Sequence, residues 1–154
     1  MNSQIGRALA AYTRTDLETR IESATPEQLI VMLYEGAINA MYTAKSAFAS
    51  GNIGVRGEAI SKAIAIIDDG LRAALNLEAG GELAENLSNL YEYISNRLLY
   101  ANLKTHEPSV DEALKLMIDL RQAWEQLERG GRSAGSSQSA PDLTRQAALS
   151  YGRV

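Results

Sequence analysis

Cysteine is absent from this sequence of 154 residues, and long apolar runs are absent as well. Without cysteine, the chain has no disulfide bond, no thiolate metal ligand and no cysteine nucleophile. No segment reaches the roughly 20 consecutive apolar residues that a membrane-spanning helix needs. The N-terminal region becomes polar too early for a signal peptide. We therefore expect a cytosolic protein that does not insert into a membrane.

Positive charge is also scarce, because 15 Lys and Arg face 19 Asp and Glu, for a net charge of −4. The chain therefore lacks the overall positive field that holds a phosphate backbone, and nucleic acid is not an expected ligand. A hydrophobic share of 45% and a charged share of 22% are ordinary for a soluble domain. The length fits a single domain with a sizeable core.

Helix start signals occur at two places in the sequence. Thr25 and Gln28 form a capping box around Pro26, which suits the first helical position. Ser109 and Glu112 have the same spacing, which predicts a second capping box. From these and other starts, apolar residues recur every three or four positions, as expected for amphipathic helices. The pattern predicts helices over about 26–49, 55–77, 82–104 and 110–129.

Four amphipathic helices joined by short links bury their apolar stripes most simply as an antiparallel up-down-up-down four-helix bundle. We therefore predict an all-α fold with the bundle over 25–129 and a short N-terminal arm over 1–24. Gly80-Gly81 is expected to stop the second helix. Residues 130–154 are rich in Gly, Ser and Ala, which predicts a flexible C-terminal tail.

Catalytic and metal-binding patterns are few. The single histidine, His106, lies two residues before Pro108, and no Glu-x-x-His pair of the di-metal type is present. A solvated loop is the favoured interpretation of His106. The Asp68-Asp69 pair falls on a polar helix face, which favours exposure over acid–base chemistry. We therefore predict no enzyme activity, no metal and no cofactor.

The second predicted helix has a wider apolar face than core packing needs. Beside its main stripe runs a second stripe of mostly small residues: Ala59, Ala63, Ile66, Gly70, Ala73 and Leu77. The combined arc exceeds the roughly 100° that one core-facing helix requires. This pattern fits a shallow groove for a partner's helix or extended segment. It fits close helix packing around small side chains equally well.

A series of motifs resembles the FliS family of flagellar secretion chaperones. The stretch SATPEQLIVMLYEGA at residues 23–37 is similar to the segment that opens the first core helix of that family. Further similar stretches follow in order at 57–63, 66–71, 80–87, 90–93, 97–98, 101–102 and 120–124. The resemblance covers about residues 8–129 without a large gap.

This resemblance implies a four-helix bundle that holds the disordered C-terminal segment of newly made flagellin. The implied function is that of a cytosolic export chaperone, which binds this segment one to one and prevents premature polymerisation. It would deliver flagellin to the export gate of the flagellar type III secretion apparatus. A flagellar anti-sigma factor is a further implied partner, because the family is also linked to anti-sigma control.

The resemblance also implies which residues bind. The client-binding residues on helices two and three would be Ala59, Ala63, Ile66, Ile67, Gly70, Asn86, Leu87, Leu90, Tyr93, Arg97 and Ala101. Asn86 and Arg97 would bond polar groups of the client, and the others would take its leucines. In the N-terminal arm, Leu9 and Tyr12 match the family's apolar residue three positions before a tyrosine. That pair would cover the empty client site and dock on the export gate.

A regulatory four-helix bundle is the alternative function, from a different class. It would be a phosphotransfer protein, or a sequestering regulator of the anti-sigma type. A functional need for His106 would favour phosphotransfer, whereas sensitivity in the groove of helices two and three would favour the chaperone.

Overall fold

Four long helices dominate residues 20–132 and 149–151, the residues that this computed structural model describes. In chain order they are α1 (Pro26–Ser50), α2 (Ile53–Ala65), α3 (Leu77–Lys104) and α4 (Glu107–Arg132), and a π-helical segment, Ile66–Arg72, continues α2. Each helix packs against the next, and α4 packs against α1, which closes the bundle. The described ranges contain no strand, and the predicted all-α bundle is confirmed.

The start of α1 contains both hydrogen bonds of the predicted capping box. The Thr25 hydroxyl accepts a 3.1 Å bond from the Gln28 N–H, and the Gln28 side-chain oxygen accepts a 2.9 Å bond from the Thr25 N–H. Two backbone donors that the helix cannot satisfy by itself are therefore paired. The predicted N-terminal arm, with Leu9 and Tyr12, lies outside the described residues apart from a helical stretch at 20–23.

The second predicted capping box is wrong. Helix α4 begins at Glu107, three residues earlier than expected, so Ser109 and Glu112 lie inside the helix. Their side chains instead accept hydrogen bonds from Arg97 on α3, at 2.8 Å to Ser109 Oγ and 2.9 Å to Glu112. His106 precedes the helix, and its Nδ1 lies 2.7 Å from Ser109 Oγ. The polar pattern of this segment therefore reflects contacts between helices.

The glycine pair at 80–81 does not stop α2. The π-helical segment that continues α2 already ends at Arg72, and α3 begins at Leu77. The side chain of Asn76 caps α3 by accepting a 2.9 Å bond from the Ala79 N–H. Gly81, with φ of 56°, forms a kink within α3, where a residue with a Cβ would be strained. The boundary between the two helices is therefore marked by Asn76, which caps the start of α3.

The core runs along the whole bundle and is formed by all four helices. Its fully buried large side chains are Tyr34, Met41, Ile60, Ile67, Leu71, Tyr91, Ile94, Leu98, Val110 and Met117. The hydroxyls of Tyr34 and Tyr91 hydrogen bond to each other, so neither buried tyrosine lacks a polar partner.

Within the predicted flexible tail over 130–154, the described residues have defined positions at two points. Helix α4 continues to Arg132, beyond the predicted end. Ser150 is fully buried, and Tyr151 packs against the core. This contact was hard to predict, because Ser150 and Tyr151 follow a segment that is rich in Gly, Ser and Ala and poor in large apolar residues.

Candidate binding surface

The predicted binding residues of α2 and its π-helical extension lie on the side that faces α1. Ala59, Ala63 and Ile67 are buried in the core, at 6%, 0% and 0% exposure. Ile66 and Gly70 are half-buried and pack towards α1. A Cβ built at Gly70 would lie 3.2 Å from a methyl of Leu33 on α1. These small residues therefore serve close helix packing.

Two of the predicted residues of α3, Tyr93 and Arg97, contact α4. Leu87 and Ala101 are core residues, and Leu90 is half-buried. Asn86 and Tyr93 are exposed. Of the two residue sets, only this one offers polar and aromatic side chains at the surface.

A polar cluster joins this face of α3 to α4. Arg97 donates from Nε to Glu112 at 2.9 Å and from Nη2 to Ser109 at 2.8 Å. The Tyr93 hydroxyl donates to the other oxygen of Glu112, and the Arg97 guanidinium lies 5.1 Å from the centre of the Tyr100 ring. We define the α3–α4 seam as the contact of Tyr93 and Arg97 with Ser109 and Glu112, together with Asn86 and Leu90 on the same face of α3.

The hydrogen bonds of the seam shift the pKa of two groups. The hydrogen bond from Tyr93 lowers the pKa of Glu112, and the Arg97 charge adds to this effect. The same hydrogen bond to Glu112 raises the pKa of Tyr93. At neutral pH, the seam therefore presents a fixed carboxylate between a phenol and a guanidinium.

Helices α2 and α3 meet through residues that the sequence analysis did not select. Ser95 donates to Asp68 at 2.8 Å, and Arg72 donates to Ser88 at 3.0 Å. Further along the helices, Arg56 donates to Asn102 at 3.1 Å. The single groove expected between helices two and three is therefore not formed by the predicted residues, because its two halves face α1 and α4.

A groove between α1 and α2 lies away from the seam. It has a volume of about 340 Å³ and is lined by Asn39 and Thr43 of α1 and by Glu58, Ala59 and Lys62 of α2. Ala59 is the one predicted binding residue that contributes to this groove. We call this feature the α1–α2 groove.

Two exposed leucines on α3 were missed by the sequence analysis. Leu99 and Leu103 are 48% and 70% exposed, and they lie one turn apart. Leu99 directly follows the fully buried Leu98 in the sequence. Because adjacent residues of a helix point in different directions, Leu99 cannot lie on the buried face that holds Leu98. This neighbour relation was the available signal for an apolar surface on α3.

His106 is half-buried and is not the solvated loop residue that the sequence favoured. Besides Ser109, it contacts the edge of the Tyr100 ring, with ring centres 5.5 Å apart. A phosphotransfer histidine needs an exposed position in the middle of a helix, which this residue does not have. Across residues 20–132 and 149–151, no three His, Asp or Glu side chains are grouped so that they could hold a metal ion. In the same part of the chain, no helix is both long and apolar enough to cross a bilayer.

Comparison with known proteins identifies the family. The model of the family described as "Flagellar protein FliS" matches residues 8–130. The chain belongs to the FliS family. The flagellar secretion chaperone FliS of Salmonella typhimurium strain LT2 is 44% identical over 119 residues, which cover 77% of this chain and 88% of that protein.

Other FliS relatives have similar coverage. The flagellar secretion chaperone FliS of Escherichia coli strain K12 is 38% identical over 75% of this chain and 85% of its own length. That of Vibrio cholerae serotype O1 is 34% identical over 78% of this chain and 88% of its own length. FliS proteins are chaperones, a non-enzymatic family, and the prediction that the chain is not an enzyme is confirmed.

Proposed function

We propose that this FliS-family chain is a cytosolic export chaperone for flagellin. It binds the disordered C-terminal segment of flagellin one to one, prevents premature polymerisation and delivers the subunit to the flagellar type III export apparatus. The family match over residues 8–130 carries this proposal, because it includes all of α1, α2 and α3 and most of α4. Relatives with 34–44% identity are named flagellar secretion chaperones.

Exposed apolar side chains supply a physical reason for such binding. Tyr93, Leu99 and Leu103 are 45%, 48% and 70% exposed. A client segment that covers them removes apolar area from water, which offsets the entropy lost when a disordered segment becomes ordered. Burial of these exposed side chains can therefore drive client binding.

The α3–α4 seam is the part of the predicted site that a client can reach. We propose that Asn86 and Arg97 bond polar groups of the client and that Leu90 and Tyr93 contact its leucines. Tyrosine and arginine are the residue types that contribute most to many interfaces. The other predicted residues either lie in the core or pack towards α1: Ala59, Ala63, Ile66, Ile67, Gly70, Leu87 and Ala101. We propose that these residues set the helix spacing on which the seam depends.

Two further partners belong to this proposal. Leu9 and Tyr12 of the N-terminal arm would cover the empty client site and then dock on the export gate. A flagellar anti-sigma factor would be the other partner, with a regulatory role. Both follow from the family resemblance of the motifs.

Titration calorimetry with the C-terminal segment of flagellin from the same organism tests the function. We expect one-to-one binding with a large negative heat-capacity change, because apolar area is buried. Tyr93→Ala is expected to weaken binding by about 1–2 kcal/mol, as for a well-packed interface tyrosine. Tyr42→Ala, which removes an exposed tyrosine from α1, is the matched control and should bind like the unmodified chain.

Two results would contradict the proposal in different ways. No binding of the flagellin segment to the folded chain would reject the chaperone function. Normal binding by Tyr93→Ala together with loss of binding in Lys62→Glu would move the site to the α1–α2 groove. Lys62 is exposed on that groove, so this second variant leaves the core intact.

A further inference from the structure

Residues 149–151 lie against the start of α3 and the end of α4. Ser150 is fully buried, and its carbonyl oxygen accepts a 2.7 Å hydrogen bond from the N–H of Asn76. Residues 149–151 lie beyond the stretch that the FliS family matches, so family membership assigns them no role. We call residues 149–151 the C-terminal strap.

The strap approaches α3 at Gly80, where no side chain would fit. A Cβ built at Gly80 would lie 2.7 Å from the Cα of Ser150. Such a contact is shorter than van der Waals packing allows, and it involves backbone atoms that cannot rotate away. Glycine at this position therefore permits direct backbone contact between α3 and the strap.

The side chain of Tyr151 completes a network of aromatic side chains. Its hydroxyl donates a 2.5 Å hydrogen bond to the Tyr91 hydroxyl, and its ring meets Trp124 edge-on with ring centres 5.3 Å apart. Tyr91 is bonded in turn to Tyr34, which accepts a 3.1 Å bond from the Trp124 indole N–H. Tyr151 is half-buried, whereas the other three side chains are buried. It is therefore the outermost member of the network.

The strap contacts the two helices that form the α3–α4 seam, at residues other than those that define the seam. Tyr91 and Trp124, which it contacts, belong to the two helices that form the seam. Tyr93 and Arg97 contact the first turns of α4, whereas Tyr151 contacts Trp124 near the end of α4. The strap covers α3 at Gly80, six residues before Asn86, so a bound segment that continues along α3 beyond Asn86 would meet it.

We propose that the C-terminal strap is an internal ligand that competes with the client along α3, an inference that rests on the proposed function. The docked strap packs against Gly80, Tyr91 and Trp124, and a client segment that extends along α3 to this point displaces it. If the strap were docked in about nine of ten molecules, about one tenth would be competent to bind. Removing the strap would then tighten client binding about tenfold.

Fluorescence of Trp124, the only tryptophan in the chain, measures docking of the strap directly. A chain that ends at Ala148 and the variant Tyr151→Ala are compared with the full chain, and Tyr42→Ala is the control. We expect acrylamide quenching of Trp124 to increase in the first two proteins and to stay unchanged in the control. A synthetic peptide of residues 141–154, added to the shortened chain, should reverse the increase.

Calorimetry with the flagellin segment then tests competition. Its affinity should rise about tenfold in the shortened chain and in Tyr151→Ala, as estimated from the competent fraction. Equal Trp124 quenching or equal client affinity with and without the strap would overturn the proposal. Loss of helical structure on shortening would also overturn it, because the strap would then be a fixed part of the core. If neither the full chain nor its variants bind the flagellin segment, the proposed function fails. Acrylamide quenching of Trp124 in the shortened chain, with and without the 141–154 peptide, then decides whether the strap docks.

Discussion

The hydroxyls of Tyr34 on α1 and Tyr91 on α3 share a hydrogen bond inside the bundle. Both side chains are fully buried, and their ring centres lie 6.3 Å apart. Burial raises the pKa of both tyrosines above the ordinary value of 10.0, so both stay protonated at neutral pH. Since Trp124 on α4 also donates to Tyr34, one polar network joins three helices.

Removing the Tyr91 hydroxyl tests the contribution of this network. We expect Tyr91→Phe to lower the free energy of unfolding by about 1–3 kcal/mol, because the hydroxyls of Tyr34 and Tyr151 lose a partner in or beside the core. Urea denaturation followed by circular dichroism measures the change. Tyr42→Phe, at an exposed position on α1, is the control and should change stability by less than about 0.5 kcal/mol. Equal effects of the two substitutions would contradict a stabilising network.

The lowered pKa of Glu112 makes part of the stability depend on pH. Its carboxylate accepts hydrogen bonds from Tyr93 and Arg97, which hold its pKa below the ordinary value of 4.5 in the folded chain. A group with a lowered folded pKa stabilises the protein above its unfolded pKa. This contribution is lost as the pH falls below 4.5 and through the folded pKa.

Urea denaturation between pH 3 and 7 tests this linkage with Glu112→Gln, which keeps an acceptor but cannot ionise. The difference in unfolding free energy between the unmodified chain and this variant should be constant above about pH 5.5 and shrink below about pH 4.5. Glu58→Gln, an exposed position on α2, is the control for a general charge effect. A difference for Glu112→Gln that stays constant down to pH 3 would show that the seam does not stabilise the carboxylate.

Gly80 and Gly57 allow a matched comparison of two helical glycines. A Cβ at Gly80 would lie 2.6 Å from the Cβ of Ala84 and 2.7 Å from the Cα of Ser150, whereas one at Gly57 finds its nearest neighbour at 3.9 Å. We expect Gly80→Ala to destabilise the fold by about 1–3 kcal/mol through overpacking. Gly57→Ala should stabilise it by about 0.5–1 kcal/mol, because alanine loses less entropy in a helix. Urea denaturation measures the unfolding free energy of both variants. A Gly80→Ala variant as stable as the unmodified chain would contradict the close approach of Ser150 to Gly80.

The helical pattern was readable from sequence because it depends on local chemistry. Thr25 and Gln28 lie three residues apart, and the side chain of each accepts a hydrogen bond from the backbone of the other, so their spacing alone predicted the start of α1. Ser109 and Glu112 have the same spacing, yet their partner is Arg97, more than ten residues earlier in the chain. A local motif cannot show whether a more distant donor competes for its side chains.

The location of the candidate site was harder to predict, because a helix face does not reveal its neighbour. The family resemblance implied that Tyr93 and Arg97 bind the client, and the structure places both next to α4. The small residues of α2 were assigned to the same groove, although Gly70 packs against Leu33 of α1. Helix α2 lies between α1 and α3, so it needs an apolar face wider than that of a helix with one neighbour.

Ala63 gives the sharpest test of whether this wide face is core or surface. It is fully buried, so Ala63→Glu would place a carboxylate in the interior without a partner. We expect this variant to lose at least about 3 kcal/mol of unfolding free energy, as unpaired buried charges do. Ser61→Glu, two positions away and exposed, should remain within about 0.5 kcal/mol of the unmodified chain. If Ala63→Glu stays folded with a normal urea midpoint and no longer binds the flagellin segment, the small residues of α2 form a client groove after all. If it unfolds as expected, their role is to bring α1 and α2 close together.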